Sequence, residues 1–190
     1  MAHYEHLQKI DLSYLSENEA KEYILLLEEL ERRIKQEEAT SNFLTFVKTL
    51  WDNFIEGDHH KKMAKVFDDI AEGKTKRVIV NMAPRHTKSE FASHYFPAYL
   101  LGKKPDLKII QATHTADLAV NFGRKIRDLI DSEEYQKLFP ETSLKADSKS
   151  AGKWNTSKGG EYFAAGVGGA LAGRGADLFI IDDPHSEQDA

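Results

Sequence analysis

The sequence contains no cysteine among its 190 residues, which excludes disulfide bonds and metal sites built from thiolates. It also lacks an apolar run of membrane-spanning length, and its start does not have the basic and apolar segments of an export signal. Hydrophobic residues make up 41% of the chain and aromatic residues 10%. This composition predicts a globular protein with a packed core that is neither exported nor embedded in a membrane.

Positive charge is scarce in the first part of the chain. Residues 1–60 carry 6 Lys/Arg against 13 Asp/Glu, whereas residues 61–190 carry 20 against 18. The net charge of −5 argues against a protein that wraps nucleic acid with its whole surface. Any contact with DNA is therefore expected to be a local patch.

The opening third of the chain has the periodicity of helices. Ser16 and Glu19 have the spacing of a capping box, and apolar residues recur at helical intervals after them. A second amphipathic stretch starts at Phe43, and a third runs from His59 to Glu72, with Gly73 placed to end it. We predict a helical segment over residues 1–57.

The pattern then changes to short apolar runs separated by helical stretches. The β-branched run Arg77–Met82 predicts a buried strand, and further strands are predicted at Leu107–Ala112, Glu161–Val167 and Leu178–Ile181. The polar residues 142–160 are typical of a loop. Strands that alternate with helices predict an α/β fold with a mostly parallel sheet covered on both faces, over residues 58–190.

A candidate phosphate-binding loop lies between the first predicted strand and a helix. Lys88 and Ser89 open that helix, as in the motif G-x-x-x-x-G-K-[ST], in which the lysine reaches the β/γ-phosphates and the hydroxyl holds Mg²⁺. Met82 and Thr87 stand at the two glycine positions. A β-branched residue is poorly tolerated at positive φ, so Thr87 must lie in an ordinary backbone region or under strain. A loop lysine without function is the alternative interpretation.

Two carboxylates follow the last predicted strand. The carboxyl end of a strand is where an α/β sheet binds its ligand, so Asp182 is predicted to hold the metal, directly or through water. Asp183 would then orient or activate the attacking water. A buried strand that ends in a solvated turn is the alternative. The lysine loop and the acids, in this order along the chain, together favour nucleotide hydrolysis.

Several blocks of the sequence resemble the ATPase domain of phage large terminase subunits, the motors that package DNA. The blocks are NMAPRHTKSE, KIIQATHTADLAVNFGRKIRDLI and WNTSKGGEYFAAGVGGALAGRGADLFIIDDPH, and the resemblance covers roughly residues 51–185. It implies a P-loop NTPase fold of the ASCE type, a parallel sheet flanked by helices. It also implies that the core is incomplete at its C-terminus, because a whole large terminase has later strands and a nuclease domain. We therefore expect an unpaired apolar sheet edge and little ATPase activity from the chain alone.

The resemblance also implies roles for individual residues. Lys88 and Ser89 match the phosphate-binding lysine and the Mg²⁺ hydroxyl, and Arg85 matches an arginine that senses or stabilises the γ-phosphate. Asp182 matches the Walker B aspartate, and Asp183 takes the place of a catalytic glutamate, with Glu187 as a fallback base. The residues expected to contact the nucleotide are Pro84, Arg85, His86, Thr87, Lys88, Ser89 and His60.

Two of the expected roles keep an alternative. His60 lies where terminase-like proteins contact adenine, and a plain helix-start role is equally compatible with the sequence. Arg174 lies in a glycine-rich stretch, Gly166–Gly175, that predicts a hairpin or loop before the last strand. In a ring of subunits Arg174 would act as a catalytic finger on the neighbour's γ-phosphate. A solvent-facing arginine is the alternative.

The resemblance implies an Mg²⁺-dependent ATPase that couples ATP hydrolysis to packaging of double-stranded DNA into a capsid. Its expected partners are double-stranded DNA, the portal of the procapsid, the small terminase subunit and further copies in a ring, in the host cytoplasm. Two alternatives remain at this stage. One is a helicase-like DNA translocase, although the sequence has no DEAD or DExH tetrapeptide. The other is a module that binds a nucleotide without turning it over.

Overall fold

The computed structural model describes residues 14–169, 171 and 173–185. The chain divides into two compact units, residues 1–38 and 39–190. The second unit therefore includes residues 39–57, which the sequence placed in an N-terminal segment over residues 1–57. No helix in the described ranges is long and apolar enough to cross a membrane.

The described part of the first unit is helical. Helix α1, Glu17–Ser41, begins in this unit and continues into the second. The predicted capping box is confirmed: the Ser16 amide donates to a carboxylate oxygen of Glu19 at 2.8 Å, and the Glu19 amide donates to the Ser16 hydroxyl at 3.4 Å. These two bonds satisfy amide groups that a helix start otherwise leaves without a partner.

Two short helices open the second unit. Helix α2, Phe43–Leu50, starts at Asn42, whose side chain accepts a hydrogen bond from the Thr45 amide. Helix α3, Asp58–Ala71, stops where predicted, because Gly73 has a left-handed φ of 77° that few other residues adopt at low cost. The α2 side chain at the centre of the core is Phe43. Its ring lies 5.3–5.6 Å from four others, those of Phe67, Phe91, Phe96 and Tyr99.

The helix predicted from Lys88 is present, but its first turns are irregular. Lys88 and Ser89 are α-helical, the segment Glu90–Tyr95 is a π-helix, and helix α4, Phe96–Lys103, continues it. π-Helical turns are rare and often occur at functional sites. Two further helices, α5 (Ala116–Ile130) and α6 (Glu133–Leu138), follow the first strand.

Five strands form one open sheet. They are β1 (Lys108–Thr113), β2 (Leu144–Lys149), β3 (Lys153–Thr156), β4 (Glu161–Gly166) and β5 (Leu178–Asp182). Their order is β2-β3-β4-β1-β5, and β1 pairs in parallel with both β4 and β5. The fold is therefore mixed α/β, with an open sheet flanked by helices.

The sheet is mixed rather than mostly parallel, because residues 142–160 contain two antiparallel strands where a loop was predicted. Their polar composition lacks the alternation of apolar and polar residues that indicates a strand. On β3, only Trp154 and Thr156 are fully buried. Trp154 stacks on Tyr162 of β4, with ring centroids 4.9 Å apart. The ring pair buries one face of β3. This burial stabilises the pairing of β3 with β4 despite the polar residues around it.

The predicted strand Arg77–Met82 is wrong in the described structure. No strand is assigned there, and Ile79 is 88% exposed although its side chain favours a buried strand. A strand needs a neighbour to bond its backbone, and this segment has none among the described residues. On the far side of the sheet from β2, strand β5 is an edge strand, with Phe179 and Ile181 about half exposed.

Candidate functional site

The loop before Lys88 holds two non-glycine residues in the left-handed region. Arg85 has a φ of 63° and Thr87 a φ of 60°. Within the described residues, the backbone amides of residues 85–88 donate no hydrogen bond to another group. Free amides at the start of a helix attract an anion, because they carry partial positive charge and are not competed for by the protein.

Thr87 is the departure from the phosphate-loop motif, and the structure shows that it is strained. A left-handed conformation costs a β-branched residue on the order of 1–3 kcal/mol. Its hydroxyl lies 2.7 Å from Nε2 of His60 and 2.6 Å from the carbonyl oxygen of His86. Its own carbonyl accepts from the Phe91 amide at 3.0 Å. These contacts hold Thr87 at both its side chain and its backbone.

His60 is buried beneath this loop. Its Nδ1 accepts a hydrogen bond from the Gly57 amide at 2.9 Å, so the ring proton of the neutral side chain is on Nε2, which faces Thr87. Burial lowers the pKa of His60, and the neighbouring His59, whose ring centroid is 3.8 Å away, lowers it further. His60 is therefore neutral at pH 7, and both ring nitrogens have protein partners.

The two carboxylates lie at the carboxyl end of β5. Asp182 is buried, and one of its oxygens accepts a hydrogen bond from the Ser93 hydroxyl at 2.8 Å. Asp183 is exposed and has a φ of 43°. Its carboxylate lies 2.9 Å from Nζ of Lys88, although the two residues are 95 positions apart in the chain. The fold therefore brings the lysine loop and the acid pair to one place.

Ser93 and Glu90 belong to this region but were not predicted. Glu90, next to Ser89, accepts a hydrogen bond from His94 at 2.9 Å and also pairs with Lys125. The hydrogen bond from His94, together with Lys125, lowers the pKa of Glu90 to about 2. The four-residue spacing of Glu90 and His94 was a signal for their pairing. Nothing in the sequence indicated the contact between Ser93 and Asp182.

The remaining predicted residues make fewer contacts within the site. Pro84 accepts a hydrogen bond from Nδ1 of His86 at 2.9 Å, and Arg85 is exposed. The Ser89 side chain makes no capping hydrogen bond. Glu187 lies outside the described residues. No cluster of three or more His, Asp or Glu side chains in the described ranges has the arrangement of a preformed metal site.

Arg174 lies against the amino-terminal half of strand β4. Its guanidinium stands 3.8 Å from the ring centroid of Phe163 and 3.2 Å from the carboxylate of Glu161. Glu161 is the first residue of β4, whereas Asp182 is the last residue of the parallel strand β5. Because these ends are opposite, the structure does not bring Arg174 together with Lys88. Where described, residues 167–177 form the predicted loop.

Comparison of the chain with protein-family models, curated proteins and solved structures finds no match.

Proposed function

We propose that the chain binds ATP between the loop of residues 83–87 and the acids at the end of β5, and hydrolyses it. The observation that carries this proposal is the 2.9 Å contact between Lys88 and Asp183. It joins the two halves of a hydrolytic site, a cation for the phosphates and a carboxylate for the attacking water. The free amides of residues 85–88 add neutral donors for the phosphate oxygens.

The residues present suit Mg²⁺ as well as the nucleotide. Magnesium prefers oxygen ligands, and Ser89 and Asp182 supply a hydroxyl and a carboxylate beside the loop. Bound Mg²⁺ would neutralise charge on the β/γ-phosphate oxygens. The Ser93 hydroxyl occupies one oxygen of Asp182 and orients the carboxylate. The other oxygen makes no hydrogen bond to the described residues and remains free for a ligand.

The chain's own residues must rearrange when the nucleotide binds. Lys88 exchanges the carboxylate of Asp183 for phosphate oxygens, which carry more negative charge. Asp183, once released, accepts a hydrogen bond from a water and orients it toward the γ-phosphate. Arg85 is exposed at the loop and stabilises the charge that develops as the γ-phosphate departs.

The biological role that we propose for this ATPase is packaging of double-stranded DNA by a viral terminase. Support comes from the resemblance of the sequence blocks around the loop and the acids to large terminase subunits. The proposal includes a ring of copies, the procapsid portal and the small terminase subunit as partners, in the host cytoplasm. Arg174 would have to leave Glu161 to act on a neighbour's nucleotide in such a ring.

A nucleotide-binding module without turnover is the second candidate. The departure of the loop from the motif favours it, because Met82 and Thr87 stand at the two glycine positions and Thr87 is held in a strained, left-handed conformation. Phosphate release with and without duplex DNA separates the two functions. Stimulation by DNA supports a translocating motor, and binding without release supports the module.

The experiment that tests the site is Lys88→Ala in the full chain. We expect ATP binding to weaken strongly and any phosphate release to stop, because the cation at the β/γ-phosphates is lost. Lys145→Ala is the matched control, since Lys145 pairs with Asp147 on the surface, away from the loop. Equal ATP affinity in the wild type and in Lys88→Ala would refute the assignment.

A further inference from the structure

We propose that His60 is a positioning residue that holds the phosphate loop in its binding conformation through Thr87. The pair takes the place of the glycine that such a loop has before its lysine. This inference rests on the proposed function for its consequence on ATP binding. The pairing itself rests on contacts within the protein.

The hydrogen bonds of His60 and Thr87 form a chain with one direction. The Gly57 amide donates to Nδ1 of His60, so Nε2 carries the proton and donates to the Thr87 hydroxyl. That hydroxyl then has its own proton free to donate, and it does so to the carbonyl of His86. Each polar group is used once, and the loop is tied to the start of helix α3.

The His60 ring is itself held firmly. It stacks on Phe91 with centroids 4.9 Å apart and meets Phe54 edge-on at 4.8 Å. Phe91 also donates its backbone amide to the carbonyl of Thr87. The residue that packs against the histidine thus also fixes the backbone of the threonine. A displacement of His60 would therefore remove the hydrogen bond to the Thr87 hydroxyl and disturb the packing of Phe91, whose amide bonds the Thr87 carbonyl.

Thr87 requires such support because its backbone is left-handed at φ 60°. A glycine adopts this conformation without a steric cost, whereas a β-branched side chain does not. The hydrogen bond from His60 offsets that cost, and in this conformation the amides of residues 85–88 donate to no group among the described residues. Since both nitrogens of His60 are engaged, its role is to position the loop rather than to contact the base.

The pairing of His60 with Thr87 predicts different effects for two substitutions of Thr87. Thr87→Val keeps the shape of the side chain but removes the hydroxyl and leaves the buried Nε2–H of His60 without an acceptor. We expect it to weaken ATP binding about tenfold, because the strained loop conformation loses the hydrogen bond that stabilises it. Thr87→Gly also removes the hydroxyl, but it relieves the strain of the left-handed backbone and leaves room for a water molecule to accept from Nε2–H, so we expect it to weaken ATP binding less than Thr87→Val does.

The test is a double-mutant cycle with His60→Phe, which keeps an aromatic ring between Phe54 and Phe91. The dissociation constant for ATP and the unfolding temperature are measured for both single variants and for His60→Phe with Thr87→Gly. We expect His60→Phe to weaken ATP binding about tenfold in the wild-type background and less than about twofold in the Thr87→Gly background. A structural role confined to core packing would not be rescued by Thr87→Gly.

Equal effects of His60→Phe in both backgrounds would overturn the proposal, as would Thr87→Val with wild-type affinity. If His60→Phe does not fold, the comparison of Thr87→Val with Thr87→Gly decides alone, since both changes lie in the loop. The unfolding temperatures need no nucleotide. If no variant binds ATP and the unfolding temperatures still show coupling, the clamp stands and the proposed function fails.

Discussion

Replacement of Asp183 by asparagine should separate ATP binding from ATP hydrolysis if the proposed function is right. Asparagine is the substitution of choice, because it tolerates the left-handed φ of 43° at this position better than alanine does. The backbone bond from the His114 amide to the carbonyl of residue 183 can also be kept. The change therefore removes the charge of the side chain and its pairing with Lys88, but little else.

The size of the effect follows from the exposure of the pair. The Asp183 side chain is 63% exposed and that of Lys88 is 27% exposed. Solvent screens such a contact, and exposed ion pairs contribute about 0.2–1 kcal/mol. We therefore expect the free energy of unfolding to fall by less than about 1 kcal/mol. Because Lys88 no longer has to leave a carboxylate, ATP should bind as tightly as before or up to about fivefold more tightly.

Turnover should respond in the opposite direction. An amide can hydrogen-bond a water but is a poor base, so Asp183→Asn should stop phosphate release while binding persists. Calorimetric titration with ATP and a phosphate-release assay measure the two effects on the same sample. Asp147→Asn is the matched control, because Asp147 is an exposed aspartate paired with Lys145. Weaker ATP binding by Asp183→Asn, or hydrolysis at the wild-type rate, would refute the division of roles.

Three further predictions concern the surroundings of the site. Ser93→Ala should raise the Mg²⁺ concentration that ATP turnover requires, since the carboxylate of Asp182 loses the donor that orients it; an unchanged Mg²⁺ titration would argue against that role. Arg174→Ala subunits mixed with Lys88→Ala subunits should recover some ATPase activity if Arg174 acts on a neighbour's nucleotide. No recovery in assembled rings would leave Arg174 only its structural ion pair with Glu161. The pKa of Glu90 is lowered from 4.5 to about 2, so its contribution to stability is present above pH 4.5 and is lost as the pH falls toward 2. Urea unfolding across this range should show a shallower pH dependence for Glu90→Gln, and an identical dependence would contradict the pKa assignment.

The strands that the sequence predicted correctly are those with an apolar core face. β1 and β5 are short apolar runs that pair with each other, and β4 contributes Tyr162 to the core. β2 could not be predicted in this way, because its composition is polar and its pairing with β3 is interrupted by a register shift. The prediction of a strand at Arg77–Met82 was wrong for the opposite reason. Its residues favour a strand, but propensity does not supply the neighbouring strand that would bond it.

For the site, the sequence predicted the residues whose chemistry follows from a motif. Lys88 and Asp183 were assigned from their positions after apolar runs, and the structure places them in contact. The contacts of Ser93 with Asp182 and of His60 with Thr87 could not be predicted, because no motif links the residues that they join. Periodicity indicates which face of an element is buried, but it does not indicate which polar group on another element will meet it.

Most of the non-glycine residues with a left-handed backbone belong to the candidate site. One of them is Thr87, which departs from the phosphate-loop motif. Among the described residues, three of the four non-glycine positions with positive φ are Arg85, Thr87 and Asp183. Such conformations persist only where surrounding contacts hold them. Thr87 has the hydrogen bond from His60, and Asp183 has its ion pair with Lys88. Arg85 has neither a hydrogen bond nor an ion pair to the described residues. Under the proposed function, a bound phosphate group would supply a partner for its guanidinium and would help to hold its left-handed backbone.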